Sequence, residues 1–340
     1  MLNRQWALAA NPGAHVARSD FAWSEQPVAD TPPAPGQVLV QTELLLCAPT
    51  IRNWISGNRS SYHPTIEIGS PVIAPGAGRV VVSDDPAFPV GARVLGTLGW
   101  QDYQWVTPAF GLRRIPDEVG SVDALGVLGM NALTAFFGVL DVGQPKPGEV
   151  LLVSGAAGSV GSVAAQIGRI LGARVVAICG GADKARWLRE ECGVTEVIDY
   201  KAGNLLAQLD ATCPDGVDVF FDNVGGTMLR DVVARMRRGG RVALCGQIAT
   251  YDGAAANPPL DMMRIIYGAI RLQGFLVPDY ASRFEEATAQ LAQWLGEGRL
   301  AHREDVRDGL AALPETFATL FTGENNGTLI ARVSQDGRPL

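Results

Sequence analysis

Four uninterrupted apolar residues at 150–153 lead into a turn with glycines at 155, 158 and 161, then into an apolar segment that stops at Gly172. A strand without polar alternation is one covered on both faces, as in a parallel sheet. The segment 163–171 predicts a helix that ends on glycine in the left-handed position. Residues 174–178 predict the next buried strand. The alternation continues with a helix over 183–192 closed by Gly193, and strands over 196–200 and 217–221. A helix follows with Met228, Leu229, Val232, Val233 and Met236 at helical spacing, and then a strand over 241–245. A longer helix over 280–296 places Phe284, Leu291, Trp294 and Leu295 on one side. Such alternation predicts an α/β fold with a doubly wound parallel sheet of Rossmann type over 127–302. Before residue 127 the texture differs. Short β-type runs at 37–43, 78–82, 92–95 and 104–107 are separated by turns such as Pro35-Gly36 and Pro75-Gly76. They predict a β-rich, mostly antiparallel domain over 1–126, to which 303–340 returns through a strand-like run at 328–333.

Composition narrows the function classes. A chain of 340 residues, 47% hydrophobic and 19% charged, is long enough for two cores. A net charge of −7 and the lack of a basic stripe argue against nucleic acid as a partner. Arg235, Arg237, Arg238 and Arg241 cluster around Gly239-Gly240, and the expectation is a helix end where cations favour the dipole. Five cysteines, at 47, 179, 192, 213 and 245, form no short-spaced pair. Cys179 and Cys245 end apolar strands, which predicts buried thiols in a reducing compartment. The start of the chain lacks a signal-peptide pattern, and no apolar run reaches the ~18–20 residues of a membrane span. The expectation is a cytoplasmic protein with no membrane partner.

The glycine turn carries the first chemical reading. Glycines at 155, 158 and 161 let the backbone turn, approach a pyrophosphate and pack the helix on the sheet, with Gly158, Ser159, Val160 and Gly161 presenting amides to phosphate. A fold that takes NAD carries a carboxylate about 20 residues beyond the glycines. Here the second strand ends Ile178-Cys-Gly-Gly181 without one. Asp183 lies just beyond and reads as a helix N-cap. Lys184 follows, as a partner for a 2′-phosphate or as a solvated first-turn residue. The histidines are His15, His63 and His302, and Cys47 has no evident co-ligand, so no metal site is expected.

Several segments resemble one family. Residues 129–138, GMNALTAFFG, are similar to the GMxGLTAYxG segment of the leukotriene B4 12-hydroxydehydrogenase, prostaglandin reductase and alkenal double-bond reductase family. That family is a zinc-free branch of the medium-chain dehydrogenase/reductase superfamily. Residues 221–226 (FDNVGG), 245–251 (CGQIATY) and 323–327 (GENNG) resemble its FDNVGG, CGxIxxY and GxNxGK segments. The resemblance implies a GroES-like catalytic domain, NADPH as cofactor and a homodimer. It places Lys184 and Tyr200 at the 2′-phosphate, and Met130, Thr134 and Asn325 against the nicotinamide. It sets Asn223, Cys245, Gly246, Ile248, Tyr251 and the backbone of Phe275, Leu276 and Val277 along the cofactor. One departure is at 48–52, where the family's DPYMR reads APTIR. Thr50 and Arg52 then border a substrate pocket that lacks an aromatic ring. Trp100 and Tyr103 either wall that pocket or belong to the core.

Without a Lewis acid to hold alkoxide charge, conjugate reduction fits better than carbonyl reduction. Hydride adds to the β-carbon of an α,β-unsaturated ketone or aldehyde, and the charge spreads into an enolate. Tyr251 is the candidate catalytic donor to that enolate, or else only orients the cofactor. Two other functions remain open at this point: an NADPH:quinone oxidoreductase, and a nucleotide-binding sensor or structural protein without turnover.

Overall fold

Short alternating runs in the first part of the chain fold as strands that share one apolar core. The computed structural model describes residues 1–28, 34–58, 63–251 and 257–333. Strands β1 (Leu2–Leu8) and β2 (Phe21–Pro27) form an antiparallel pair. Next come β3 (Val38–Leu46), β4 (Ile73–Ser83), β5 (Arg93–Gly99), β6 (Tyr103–Val106) and β7 (Arg113–Arg114). Short helices α1 (Ile51–Trp54) and α2 (Ser121–Leu125) lie among them.

The second unit begins with α3 (Met130–Phe137), which runs into a π-helical stretch, Gly138–Gly143. Strands β8 (Val150–Val153), β9 (Arg174–Cys179), β10 (Glu196–Asp199), β11 (Val217–Asp222), β12 (Met236–Leu244) and β13 (Arg271–Gly274) then make one parallel sheet in the order β10-β9-β8-β11-β12-β13. All four residues of β8 are buried, as its lack of alternation requires. The connecting helices are α4 (Ser159–Ile170), α5 (Ala182–Glu190), α6 (Leu205–Thr212), α7 (Gly226–Val233), α8 (Met262–Gly268) and α9 (Phe284–Gly296).

The chain then returns to the first unit. β14 (Glu304–Asp308), α10 (Leu313–Thr322) and β15 (Thr328–Arg332) follow, and β15 pairs parallel with β14 and antiparallel with β3. By contact the chain divides into Met1–Gly126 with Glu304–Leu340, and Val127–Arg303. Aromatic packing ties the returning tail into the first core, with Trp100 lying 5.2 Å from Phe21 and 5.6 Å from Phe317 of α10. Among the described residues no helix is long and apolar enough to cross a membrane.

Three local expectations are corrected. Helix α7 stops at Val233 and Met236 opens β12, so Arg237, Arg238 and Arg241 lie on a strand and not at a helix end. They serve as side-chain partners: Arg235 pairs with Asp210, Arg237 with Asp218 and Arg241 with Glu149. Asp183 is not an N-cap. Gly181 takes that position at φ 100°, a conformation that favours glycine, and Asp183 pairs with Arg186 one turn on. The long helix starts at Phe284, because a 3-10 stretch over Val277–Arg283 with proline near its start precedes it.

None of the five cysteines is in a disulfide. Burial pushes the thiols of Cys47, Cys192 and Cys245 up to about 12, and those of Cys179 and Cys213 up to about 11. A thiolate-directed reagent at pH 8 should therefore find the native thiols unreactive and all five reactive after denaturation. Each thiol ionises at ~8.5 in the unfolded chain, so its contribution to stability is whole below that pH. It falls as the pH rises toward 11 and 12. Urea midpoints measured from pH 8 to 11 check the sign: they should fall.

Candidate active site

The chain leaves β8 for β9 and β10 on one side of the sheet, then returns to add β11, β12 and β13 on the other. In open α/β sheets, ligands bind beyond the strand C-termini at this switch point. Here the ends of β8 and β11 are joined by a buried polar network. Ser154 Oγ donates to Asp222 Oδ1 at 2.8 Å, and the Asn223 amide N–H donates to Ser154 Oγ at 2.9 Å. The Asn223 side-chain amide donates to the Ser154 carbonyl at 2.7 Å. Asp222 is fully buried, and burial pushes its carboxyl above the usual carboxylate range. The Val224 and Gly225 amides and Ser154 act in the opposite sense, stabilising the charged form.

The same segment captures the loop after β12. Cys245 and Gly246 donate to the Asp222 carbonyl at 2.9 and 3.0 Å, and Ala249 to the Val224 carbonyl at 3.1 Å. This holds Cys245, Gly246 and Ile248 beside Asn223. Tyr251 closes the short 3-10 turn Ile248–Thr250, half-buried, and its Oη accepts a long bond from the Gln247 amide at 3.4 Å.

The glycine turn fits a dinucleotide pyrophosphate. Gly155 stands at φ 58°, and a Cβ on Gly161 would lie 2.3 Å from the Gly155 carbonyl oxygen. Only glycine lets the first turn of α4 pack this closely on the loop. Gly158 caps α4 without a side chain, so the amides of Ser159, Val160 and Gly161 have no intrahelical acceptor and face the end of the sheet. Asn131 of α3 donates to Ser159 Oγ at 2.9 Å, which brings the start of α3, with Met130 and Thr134, to the start of α4. The Thr134 hydroxyl itself bonds back to the Met130 carbonyl at 2.8 Å.

At the end of β9, half-buried Lys184 sits in the first turn of α5, and the Tyr200 ring lies against Gly180. After β13, the Phe275 ring packs edge-on to Phe221 at 6.4 Å, and exposed Leu276 and half-buried Val277 follow it.

The remaining candidates belong to the first unit. Thr50 precedes α1, and Arg52 is buried with its guanidinium on the Gly13 carbonyl at 2.5 Å. Asn325 donates to the Gly327 carbonyl at 2.9 Å within its own turn. Tyr103 is half-buried in β6, its amide on Asn3 Oδ1 at 2.9 Å. Trp100 is 1% exposed and belongs to the core. Sequence reasoning passed over Ser154, Asp222, Asn131 and Asp199. The signal for the first two was a polar residue directly after an apolar run, VLLV before Ser154 and VFF before Asp222.

Comparison with known proteins shows the family. A family model described as zinc-binding dehydrogenase matches residues 159–294, and one described as the N-terminal domain of oxidoreductase matches residues 4–115. The chain is 37% identical to the NADPH-dependent curcumin reductase of Escherichia coli (strain K12), over 98% of each chain. It belongs to the medium-chain dehydrogenase/reductase superfamily. Within that superfamily it is also 34% identical to the NADP(+)-dependent 2-alkenal reductase of Nicotiana tabacum, over 90% of each chain. The crystal structure of CurA in complex with NADPH from Vibrio vulnificus superposes with a TM-score of 0.91 at 33% identity, covering 98% of this chain and 99% of that one.

The matched dehydrogenase model is named for zinc, but the described residues of this chain do not fit a metal. Among the described residues no group of three or more His, Cys, Asp or Glu side chains converges as a ligand set.

Replacing Ser154 with alanine removes one donor to a buried carboxylate and the acceptor of the Asn223 amide. Ser154→Ala should cost about 1–3 kcal/mol or more in urea unfolding. The exposed control Ser282→Ala should stay within about 0.5 kcal/mol of the parent.

Proposed function

We propose that this chain is an NADPH-dependent reductase of activated C=C bonds in α,β-unsaturated ketones and aldehydes. The observation that carries the reading is its end-to-end likeness to a curcumin reductase described as NADPH-dependent. The switch-point geometry supports it, with an amide-lined turn at one end and a phenol on a pinned loop at the other. When bound, the cofactor supplies the hydride equivalent that the β-carbon receives.

The protein's own residues bind, orient and donate. The amides of Ser159, Val160 and Gly161 hold the pyrophosphate, and Lys184 with Tyr200 takes the 2′-phosphate, where a cation and a hydroxyl suit a dianion. Asn223, Met130, Thr134 and the 275–277 backbone border the nicotinamide half. The Tyr251 hydroxyl donates a hydrogen bond to the substrate carbonyl oxygen as the enolate forms, and the α-carbon then takes a proton from solvent to give the saturated ketone. Holding the reactants in line supplies much of the remaining acceleration.

A second copy of the chain covers the outer edge of the sheet. β13 is an edge strand, and α8, which leads into it and packs on β12, exposes Met262, Met263, Ile266 and Tyr267, of which Tyr267 is 70% exposed. An open edge next to apolar side chains is a pairing surface, and a twofold dimer closes it. Five thiols without a disulfide suit a reducing cytoplasm.

Two measurements test these readings. With 4-phenyl-3-buten-2-one and NADPH, the product should be the saturated ketone, and Tyr251→Phe should lower kcat by ~10–10³-fold while the NADPH dissociation constant moves far less. An allylic alcohol, turnover of quinones alone, or no NADPH consumption would each sink the proposed activity. In sedimentation, the parent should run as a dimer and Ile266→Lys with Tyr267→Lys as a monomer. A monomeric parent refutes the edge-to-edge pairing.

A further inference from the structure

The end of β9 is where a nucleotide fold that takes NAD presents its carboxylate to the adenosine ribose. Here that place is held by two glycines and covered by the side chain that follows the next strand. A Cβ on Gly180 would stand 2.8 Å from Cε1, Cζ and Oη of Tyr200, closer than side chains approach one another. The segment bearing Tyr200 is fixed on both sides. The Tyr200 amide donates to the Cys179 carbonyl at 3.1 Å. Asp199 Oδ1 accepts from the Gly181 amide at 2.9 Å and from the Lys201 amide at 3.0 Å. A carboxylate is thus present at this corner, but it arrives from β10 and is occupied by backbone amides.

We propose that Gly180 is a specificity-determining position: its missing side chain lets the Tyr200 ring lie across the end of β9, with Asp199 pinning the loop, and so builds the 2′-phosphate site. The proposal rests on the reading of the chain as an NADPH enzyme. The adenosine corner then selects NADPH twice, by setting a phenol and Lys184 beside the phosphate and by holding the corner's acid, Asp199, on the Gly181 and Lys201 amides instead of on a bare ribose hydroxyl. Gly180 is not among the positive-φ glycines, so alanine there tests space and not backbone strain. Tyr200 is 46% exposed, and its ring has solvent to swing into when a Cβ displaces it.

The test is direct binding, followed by calorimetry with NADPH and with NADH. Gly180→Ala and Tyr200→Ala should each weaken NADPH binding about tenfold, the scale of one hydrogen bond to a charged group, and leave NADH within about twofold. The double variant should be no weaker than either single, because the alanine acts only through the ring. The proposal is overturned if Gly180→Ala leaves the NADPH constant unchanged, or if the two losses multiply in the double variant. Should Gly180→Ala alone not fold, the double variant must fold, since the colliding ring is gone, and its failure also overturns the proposal. A parent protein with no preference for NADPH would defeat the cofactor reading itself. A parent that prefers NADPH, with uncoupled variants, would defeat only the role of Gly180.

Discussion

Burying the Asp222 carboxylate is the constraint on which the switch-point end of the second unit depends. An acid taken out of water costs several kcal/mol unless its oxygens are met by donors. Here the donors are Ser154 from the end of β8 and the amides of Val224 and Gly225. The carbonyl of the same residue takes two amides from the loop after β12. One residue therefore sets the relative height of three strand ends. A small shift of any of them would leave a buried oxygen unmet, so the loops carrying Asn223 and Tyr251 are held before any ligand arrives. Such preorganisation is what donors need if they are to act on charge that develops only during reaction.

The parallel sheet was legible because two periods do not mix: continuous apolar runs for strands buried on both faces, and i, i+3, i+4 spacing for the helices between them. Legibility failed where a residue satisfied both patterns. Met236 sits at helical spacing from Val232 and Val233 and is also the first apolar residue of β12, and neither glycine nor proline marks the change. The arginines around it were misread with it. The start of α9 was misplaced for a different reason, since a 3-10 stretch has helix-like composition but another hydrogen-bond pattern.

In the site, residues of the glycine turn were readable because their chemistry is local, three glycines and a helix start. Ser154 and Asp222 were not, because their meaning arises only when β8 and β11 pair across 68 positions. Asp199 shows the same limit. A search along the chain for an acid after β9 stops at Gly181, whereas the acid reaches that amide sideways, from the neighbouring parallel strand 18 positions on.

The placement of β15 has a consequence for biosynthesis. This strand lies between β14 and β3, inside the first unit's sheet, so residues 44–46 of β3, beyond the stretch that pairs with β6, lack a neighbour on that side until β15 has been made. Roughly 280 residues separate the two strands. At ~5–20 residues per second, the N-terminal strands wait roughly 15 s to a minute on the ribosome with an apolar edge unpaired. The second unit is one continuous stretch, Val127–Arg303, and emerges whole before that partner exists. The unit encoded first is thus the one completed last, and its waiting edge is where an emerging chain most needs a chaperone's cover.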